Sequence, residues 1–399
     1  MKILFLTNKP PYPPKDGGSI ATLGLMEAFA NNGHRTGLLA MNTRKHHITP
    51  FDIPENLASK IVMHLVEVPA LIQPFGALNN LFFSKLPYNA ERFIDEKYTE
   101  KLVQLLQAQK FDVVQLEGLY MCPYIKTIRA HSNAVIVYRS HNIEHEIWER
   151  SVKQANGLKK LYLKIVASRL KKFEIQAINQ YDVLLPISPR DEKKLNELGN
   201  KKPSLVVPAG FDFSKVEKPL TQAEKNLFFI GALDWSPNQE GLLWFLEKCW
   251  PLILEKQPQI VLKIAGRNAP QWLIKKLKTK NIKYLGEIDD AKYFIQSNGL
   301  MIVPLLSGSG MRVKIVEGMM YSKCIVTTPV GCEGIHAVNE KQIFIADNPR
   351  QFTQYINDLL KNYQKIVETG NNAFTFAKNE FDYEHIFEKV LQFYKHHLK

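Results

Sequence analysis

The densest group of side chains suited to holding an anion is Ser307-Gly308-Ser309-Gly310-Met311-Arg312-Val313-Lys314, directly after the apolar run LMIVPLL. The spacing predicts a small Gly/Ser loop opening a helix, with two cations in its first turn. The positive end of a helix dipole disfavours cations there, so an anionic partner is expected to offset them. A diphosphate fits, with Arg312 as a forked donor and Lys314 as a point charge. Glu317, a turn and a half further on, can accept hydrogen bonds from ribose hydroxyls. The bland alternative is a solvated helix start whose cations pair with surface carboxylates.

A second loop of interest is Asn8–Gly18, NKPPYPPKDGG, between a first strand and a first helix. Gly17 and Gly18 let backbone N–H groups approach an anion or a sugar, because no Cβ intervenes; a plain glycine turn is the alternative. The loop is not the GxGxxG fingerprint of dinucleotide enzymes, so NAD or FAD loses support. Arg267, after Gly266 at a strand end, is a third and weaker cation for the phosphate site.

Other polar groups read more blandly. His141, Glu144, His145 and Glu146 place two imidazoles four residues apart, but HNIEH is not HExxH and zinc is not expected. Asp289-Asp290 reads as a helix start, not a metal-binding DxD, and no metal requirement is expected. Glu117 ends a strand and serves either a sugar hydroxyl or solvent. Trp235, Trp244 and Trp250 read as core or domain-interface residues.

The elements that must position these groups alternate short apolar strands with amphipathic helices, the pattern of parallel sheets covered by helices. Strands are predicted at 2–7, 112–116, 134–139, 183–187 and 204–207, and a helix from Ser19 to Asn32 closed by Gly33. The turn-rich stretch between Val207 and Leu227 reads as a domain boundary. The rhythm then restarts: strands at 227–231, 259–265, 282–285, 300–306, 324–328 and 343–346, and helices at 239–255, 311–321 and 383–399. This describes two Rossmann-like halves in tandem.

Composition agrees. At 399 residues and 45% hydrophobic, the chain is long enough for two cores, and its net charge of +13 draws phosphates, nucleic acid or anionic membranes alike. Four cysteines without a CxxC pair argue against a disulfide framework or a structural zinc and suit a reducing cytoplasm. No run reaches the roughly 20 apolar residues of a membrane span, so a soluble, cytoplasmic protein is expected. The lysine-rich stretch 158–178 reads first as a core helix with a solvated basic flank, and second as a peripheral membrane contact. No nucleic-acid motif appears.

The stretch PLLSGSGMRVKIVEGMMYSKCIVTTPVGCEGI resembles the donor-site region of family-4 glycosyltransferases, which have the GT-B fold. ALDWSPNQEGLLWF, YRSHNIEHEIWER and VVPAGFDFS follow the family's order, so the resemblance covers nearly the whole chain. It implies an N-terminal acceptor-side domain (1–212), a nucleotide-sugar-binding domain (213–380) and a closing helix (381–399) that crosses back. It also implies a donor cleft between the domains and transfer with retention of configuration. By the same resemblance Glu317 is the second glutamate of the E-x7-E motif, Gly17 and Gly18 form the glycine loop near the donor phosphates, and His141 lies near the transferred sugar.

Two departures stand out. The first motif glutamate falls at residue 309, here Ser309, so backbone N–H groups of Gly310 and Met311 are expected to take over part of its role. The usual Arg and Lys after the first strand of the second domain are absent from GALDWSPNQEG, leaving Arg312 and Lys314 to supply the charge. The expected activity is transfer of a sugar from UDP- or GDP-sugar to a carbohydrate or lipid-linked acceptor in surface polysaccharide assembly, without cofactor. The alternatives are a non-catalytic nucleotide-sugar-binding or membrane-surface scaffold, a sugar phosphorylase, or a nucleotide-sugar epimerase.

Overall fold

The computed structural model describes residues 1–14, 16–216, 224–308 and 311–398. Two six-stranded parallel sheets carry the fold. The first holds β1 (Lys2–Thr7), β2 (Arg35–Asn42), β3 (Ile61–Glu67), β4 (Val113–Glu117), β5 (Val135–Ser140) and β6 (Val183–Pro186). The second holds β7 (Leu227–Ile230), β8 (Leu262–Ala265), β9 (Ile282–Gly286), β10 (Leu300–Val303), β11 (Ile325–Thr327) and β12 (Phe344–Ile345). Their orders are β3-β2-β1-β4-β5-β6 and β12-β11-β10-β7-β8-β9. Each is the doubly wound arrangement, reversing direction between β1 and β4 in one sheet and between β7 and β10 in the other. Ligands settle beyond the carboxyl ends of strands at such switch points, and both predicted loops follow strands that flank one.

The chain forms two units, Met1–Gly210 together with Tyr383–Lys399, and Phe211–Asp382. In the first unit, β1 and β4 bury side chains on both faces, as a covered parallel strand must. Val114 and Leu116 join one core and Val113 the other, the alternation of a pleated strand. Gln115 and Glu117 share the face of Val113. They are the buried polar residues of an otherwise apolar strand. That face is closed by the helix Tyr383–His397, whose Phe387 and Tyr394 rings pack on Phe29 at 5.1 and 5.7 Å between centroids. The close approach needs glycine: a Cβ on Gly24 would sit 2.0 Å from the Tyr383 ring.

The structure departs from the sequence-based expectation in three places. β2 and β3 are strands that the sequence reading did not mark; β3 lies at a sheet edge and is only half buried, whereas β2 is an interior, largely buried strand. Ser204–Val207 is not a strand; Ser204 makes a single bridge to Leu184, and although Leu205 and Val207 donate to β6, Pro186 on β6 has no N–H to return a bond. The helix expected over 239–255 is interrupted: Ser236–Trp244, a π-turn at Phe245–Cys249, then Trp250–Lys256. Pro251 has no N–H to donate to the preceding turn, and the wider π-turn absorbs the missing bond. Among the described residues no helix is long and apolar enough to cross a membrane.

Candidate functional site

In the second unit, the loop after β10 leads into the helix Val313–Met320, with Arg312 as its cap residue. Ser309 and Gly310 lie outside the described residues; Met311 is half-buried. Arg312 is only 4% exposed, and its Nη2 stands 3.7 Å from Oε2 of Glu333. Gly308 has φ +127°, a conformation that favours glycine, and a Cβ there would come within 3.0 Å of Arg312 Nη2 and 3.2 Å of Trp235. The loop is braced from the helix Ser236–Trp244: Glu240 accepts hydrogen bonds from Ser307 and Ser236, both at 2.8 Å.

Lys314 reaches toward the end of β7. Its Nζ donates to Asn238 Oδ1 at 2.8 Å and lies 4.6 Å from the centre of the Phe229 ring. A Cβ on Gly231 would sit 2.5 Å from that Nζ, so this glycine leaves the space the ammonium occupies. Burial pushes the Lys314 pKa down to about 7; the like charge of Arg312 adds to this and Glu317 opposes it. Burial likewise raises the Glu317 carboxyl, with Lys314 opposing. Arg312, Lys314 and Glu317 are thus brought together electrostatically. Arg267 is not: among the described residues its side chain makes no hydrogen bond or ion pair with them, and only its carbonyl is tied in, accepting from Leu233 N–H at 2.9 Å. Asn238 was not singled out in the sequence; the signal was an asparagine one residue after the helix-starting Pro237.

The first unit holds a small recess lined by, among others, Thr7, Lys9, Gly18, Ser19, Glu117 and His141. Asp16 caps the helix Gly17–Asn31 by accepting from Ser19 N–H at 3.0 Å, and Lys9 pairs with the same carboxylate. Gly17 and Gly18 are therefore the first residues of that helix. Glu117 is 5% exposed, not a solvated strand end. It accepts from Thr22 Oγ1 at 2.7 Å and from Gln115 Nε2, and its Oε2 lies 2.7 Å from His141 Nε2. Burial pushes its pKa up, but Arg139, His141 and Thr22 outweigh that and hold the carboxyl below its usual range. Arg139 is itself buried, donating to the carbonyls of Ala21 at 2.9 Å and Pro208 at 3.2 Å.

A carboxylate facing Nε2 fixes the proton there, so a neutral His141 presents Nδ1 as an acceptor. That Nδ1 and Thr7 Oγ1 are buried without hydrogen-bond partners, and both residues line the recess. Buried polar atoms are normally satisfied, so a polar group entering this recess would meet two open hydrogen-bonding partners. Gly18 leaves open the space beside the imidazole: an added Cβ would point at Nδ1 from 3.9 Å. His145 does not join His141; its Nδ1 meets Glu174 at 2.6 Å. Of the tryptophans, Trp250 is core, Trp244 packs edge-on against Phe352, and Trp235 is 40% exposed beside Gly308.

Residues 224–362 match the family model described as Glycosyl transferases group 1. Over 413 aligned residues the chain is 25% identical to an uncharacterized 44.6 kDa protein in the cps region of Klebsiella pneumoniae, covering 98% of this chain and 99% of that one. Among solved structures, Anabaena HepE in complex with UDP and glucose superposes with a TM-score of 0.66 at 16% identity, covering 99% of each chain. Sucrose-phosphate synthase from Thermosynechococcus elongatus reaches 0.70 at 16% identity, again over 99% of each chain. The chain has the two-domain α/β, GT-B-like fold of these proteins.

Proposed function

We propose that the chain is a retaining glycosyltransferase of the family-4 type. In this reading it takes the sugar of a UDP- or GDP-sugar and transfers it to a carbohydrate or lipid-linked acceptor in surface polysaccharide assembly, acting in the cytoplasm. The observation that carries the reading is the desolvated pair Arg312 and Lys314 at the mouth of a Gly/Ser loop. Two cations so placed are stabilised by a bound diphosphate. The group 1 family match over the same residues supports it, as do the UDP held by HepE and the cps-region setting of the Klebsiella relative.

In this reading Arg312 and Lys314 meet the charge that develops on the departing diphosphate, an electrostatic role prepared before the bond breaks. They do so in place of a divalent ion, and Glu317 accepts from the ribose hydroxyls. The first unit's recess takes a sugar hydroxyl at His141 Nδ1, and Glu117 holds the imidazole in the accepting tautomer. The acceptor's proton leaves with the diphosphate oxygen, so no side chain is needed as the base.

The test is a thermal-shift panel with UDP, GDP, ADP, dTDP and CMP, with and without EDTA, on the wild type and Arg312→Ala. A ligand bound only by the folded state raises the melting temperature by mass action. One diphosphate is expected to stabilise the wild type regardless of EDTA. Arg312→Ala should weaken its affinity by about tenfold to a hundredfold, the scale of a charge-assisted hydrogen bond. Equal affinity in a folded Arg312→Ala protein would remove this account of the site.

A further inference from the structure

The helix Pro74–Phe83 turns aromatic side chains outward. Phe75, Phe82 and Phe83 are 88%, 72% and 85% exposed, and Ile72, just ahead of the helix, is 74% exposed. Large apolar side chains so grouped mark an interaction surface.

This outward face is held in place by polar bonds beneath it. Asn80 is buried and donates to Leu86 O at 3.0 Å. Arg169, on the helix Gly157–Ala177, donates to the carbonyls of Asn80 at 3.0 Å and Leu81 at 2.7 Å. The preceding loop is pinned by Tyr88, whose hydroxyl accepts from Gln73 N–H at 2.9 Å and donates to Leu71 O at 3.1 Å. The rings therefore cannot turn inward without breaking the bonds that anchor the helix.

The exposed charge on the ring-bearing segment is basic, while the neighbouring Glu91 is half-buried and accepts from Asn80. From Val68 to Ala90 there is no Asp or Glu, and the sole charge is Lys85, which is exposed. The Arg169 helix adds Lys159, Lys164, Lys171 and Lys172, all exposed, with Leu161 59% exposed among them. Its one carboxylate, Glu174, is buried against His145. Outward apolar rings, on a helix anchored to a second helix rich in exposed lysines, match the anionic headgroups and upper acyl region of a bilayer. A second copy of this +13 chain would bring like charge against like.

We propose that the helix Pro74–Phe83 and the lysine face of the helix Gly157–Ala177 form a docking surface for an anionic membrane, with Phe75, Phe82 and Phe83 inserted at the headgroup level. This rests on the transferase reading in one respect, since it narrows the acceptor to the lipid-linked class. It extends the basic stretch 158–178 to an aromatic partner that the sequence pattern alone did not reveal.

The test is co-sedimentation of the full chain with vesicles of phosphatidylcholine alone, or of phosphatidylcholine with phosphatidylglycerol. UDP-induced thermal shift is followed in parallel. The wild type is expected to sediment with the anionic vesicles only, and less so as salt rises. The variant Phe75→Ser/Phe82→Ser/Phe83→Ser should lose at least tenfold in partitioning. Lys164→Gln/Lys171→Gln/Lys172→Gln should lose about a hundredfold, at roughly fivefold per lysine near a charged surface. Both variants should keep the wild-type UDP shift, since the altered side chains are exposed. Equal vesicle binding by either variant would overturn the proposal. So would absence of wild-type binding, or self-association that the phenylalanine variant abolishes. Vesicle binding without any nucleotide shift would leave the docking surface standing and sink the transferase reading instead.

Discussion

The two units share one strand order and place polar groups at the same switch point, yet the charge they hold there is opposite in sign and differently balanced. In the first unit a buried carboxylate, Glu117, is enclosed by Arg139, His141, Thr22 and Gln115, and its pKa is lowered despite burial. In the second a half-buried ammonium, Lys314, has a neutral amide and a ring face as its close partners, and desolvation lowers its pKa to about 7. One charge is stabilised by the fold; the other is disfavoured by it. A doubly wound scaffold can thus offer a finished hydrogen-bonded site and an unfinished electrostatic one.

The difference is broken most directly by removing each charge. Glu117→Gln removes the carboxylate that bonds Thr22 and His141 and offsets the buried Arg139 charge, and loss of such buried charge-assisted contacts should cost about 3 kcal/mol. Lys314→Met removes a desolvated cation and should leave stability unchanged or raised, while weakening UDP binding at least tenfold. Denaturant unfolding of both variants reads the contrast. Similar losses in the two would mean that Lys314 is as well satisfied as Glu117.

A smaller effect sharpens the second site. The unfolded chain holds the Lys314 proton up to about 10.5, the folded chain only to about 7. Between those values the unfolded state binds more protons, so stability contributed by this group rises with pH across that window. Diphosphate binding works the other way, because the bound anion favours the protonated ammonium and binding takes up a proton. UDP affinity should therefore fall as pH rises above about 7, approaching tenfold per pH unit. Titration calorimetry between about pH 7 and 9 would register this. A flat profile in the wild type, or the same slope in Lys314→Met, would assign the proton elsewhere.

How much of this was legible in the sequence follows the range of the interactions. The Gly/Ser loop, Arg312, Lys314 and the paired sheets are written in local signals: helix starts, glycines and apolar runs. Asn238 meets Lys314 from 76 residues away, and Tyr394 meets Gln115 from 279. Nothing in the local pattern marks those pairs. Gln115 did carry a signal, a glutamine inside a strand covered on both faces, but only the structure names its partner. The aromatic helix was hidden for the opposite reason, since Leu81-Phe82-Phe83 looks like core by composition and its rings face outward.

The least disruptive probe of the first site is its far end. Tyr394, on the C-terminal helix, donates its hydroxyl to Gln115 Oε1, and the Gln115 amide in turn donates to Glu117 Oε1. That chain sets which Glu117 oxygen is left for His141, so the closing helix positions an imidazole it never touches. Tyr394→Phe keeps the ring packed on Phe29 and deletes one hydrogen bond, costing about 1 kcal/mol of stability. If the chain only supports the fold, kcat and its pH profile stay as in the wild type. If it orients His141, kcat falls a few-fold and the low-pH limb of the profile moves. KM for the donor should not change, because the diphosphate is assigned to the second unit.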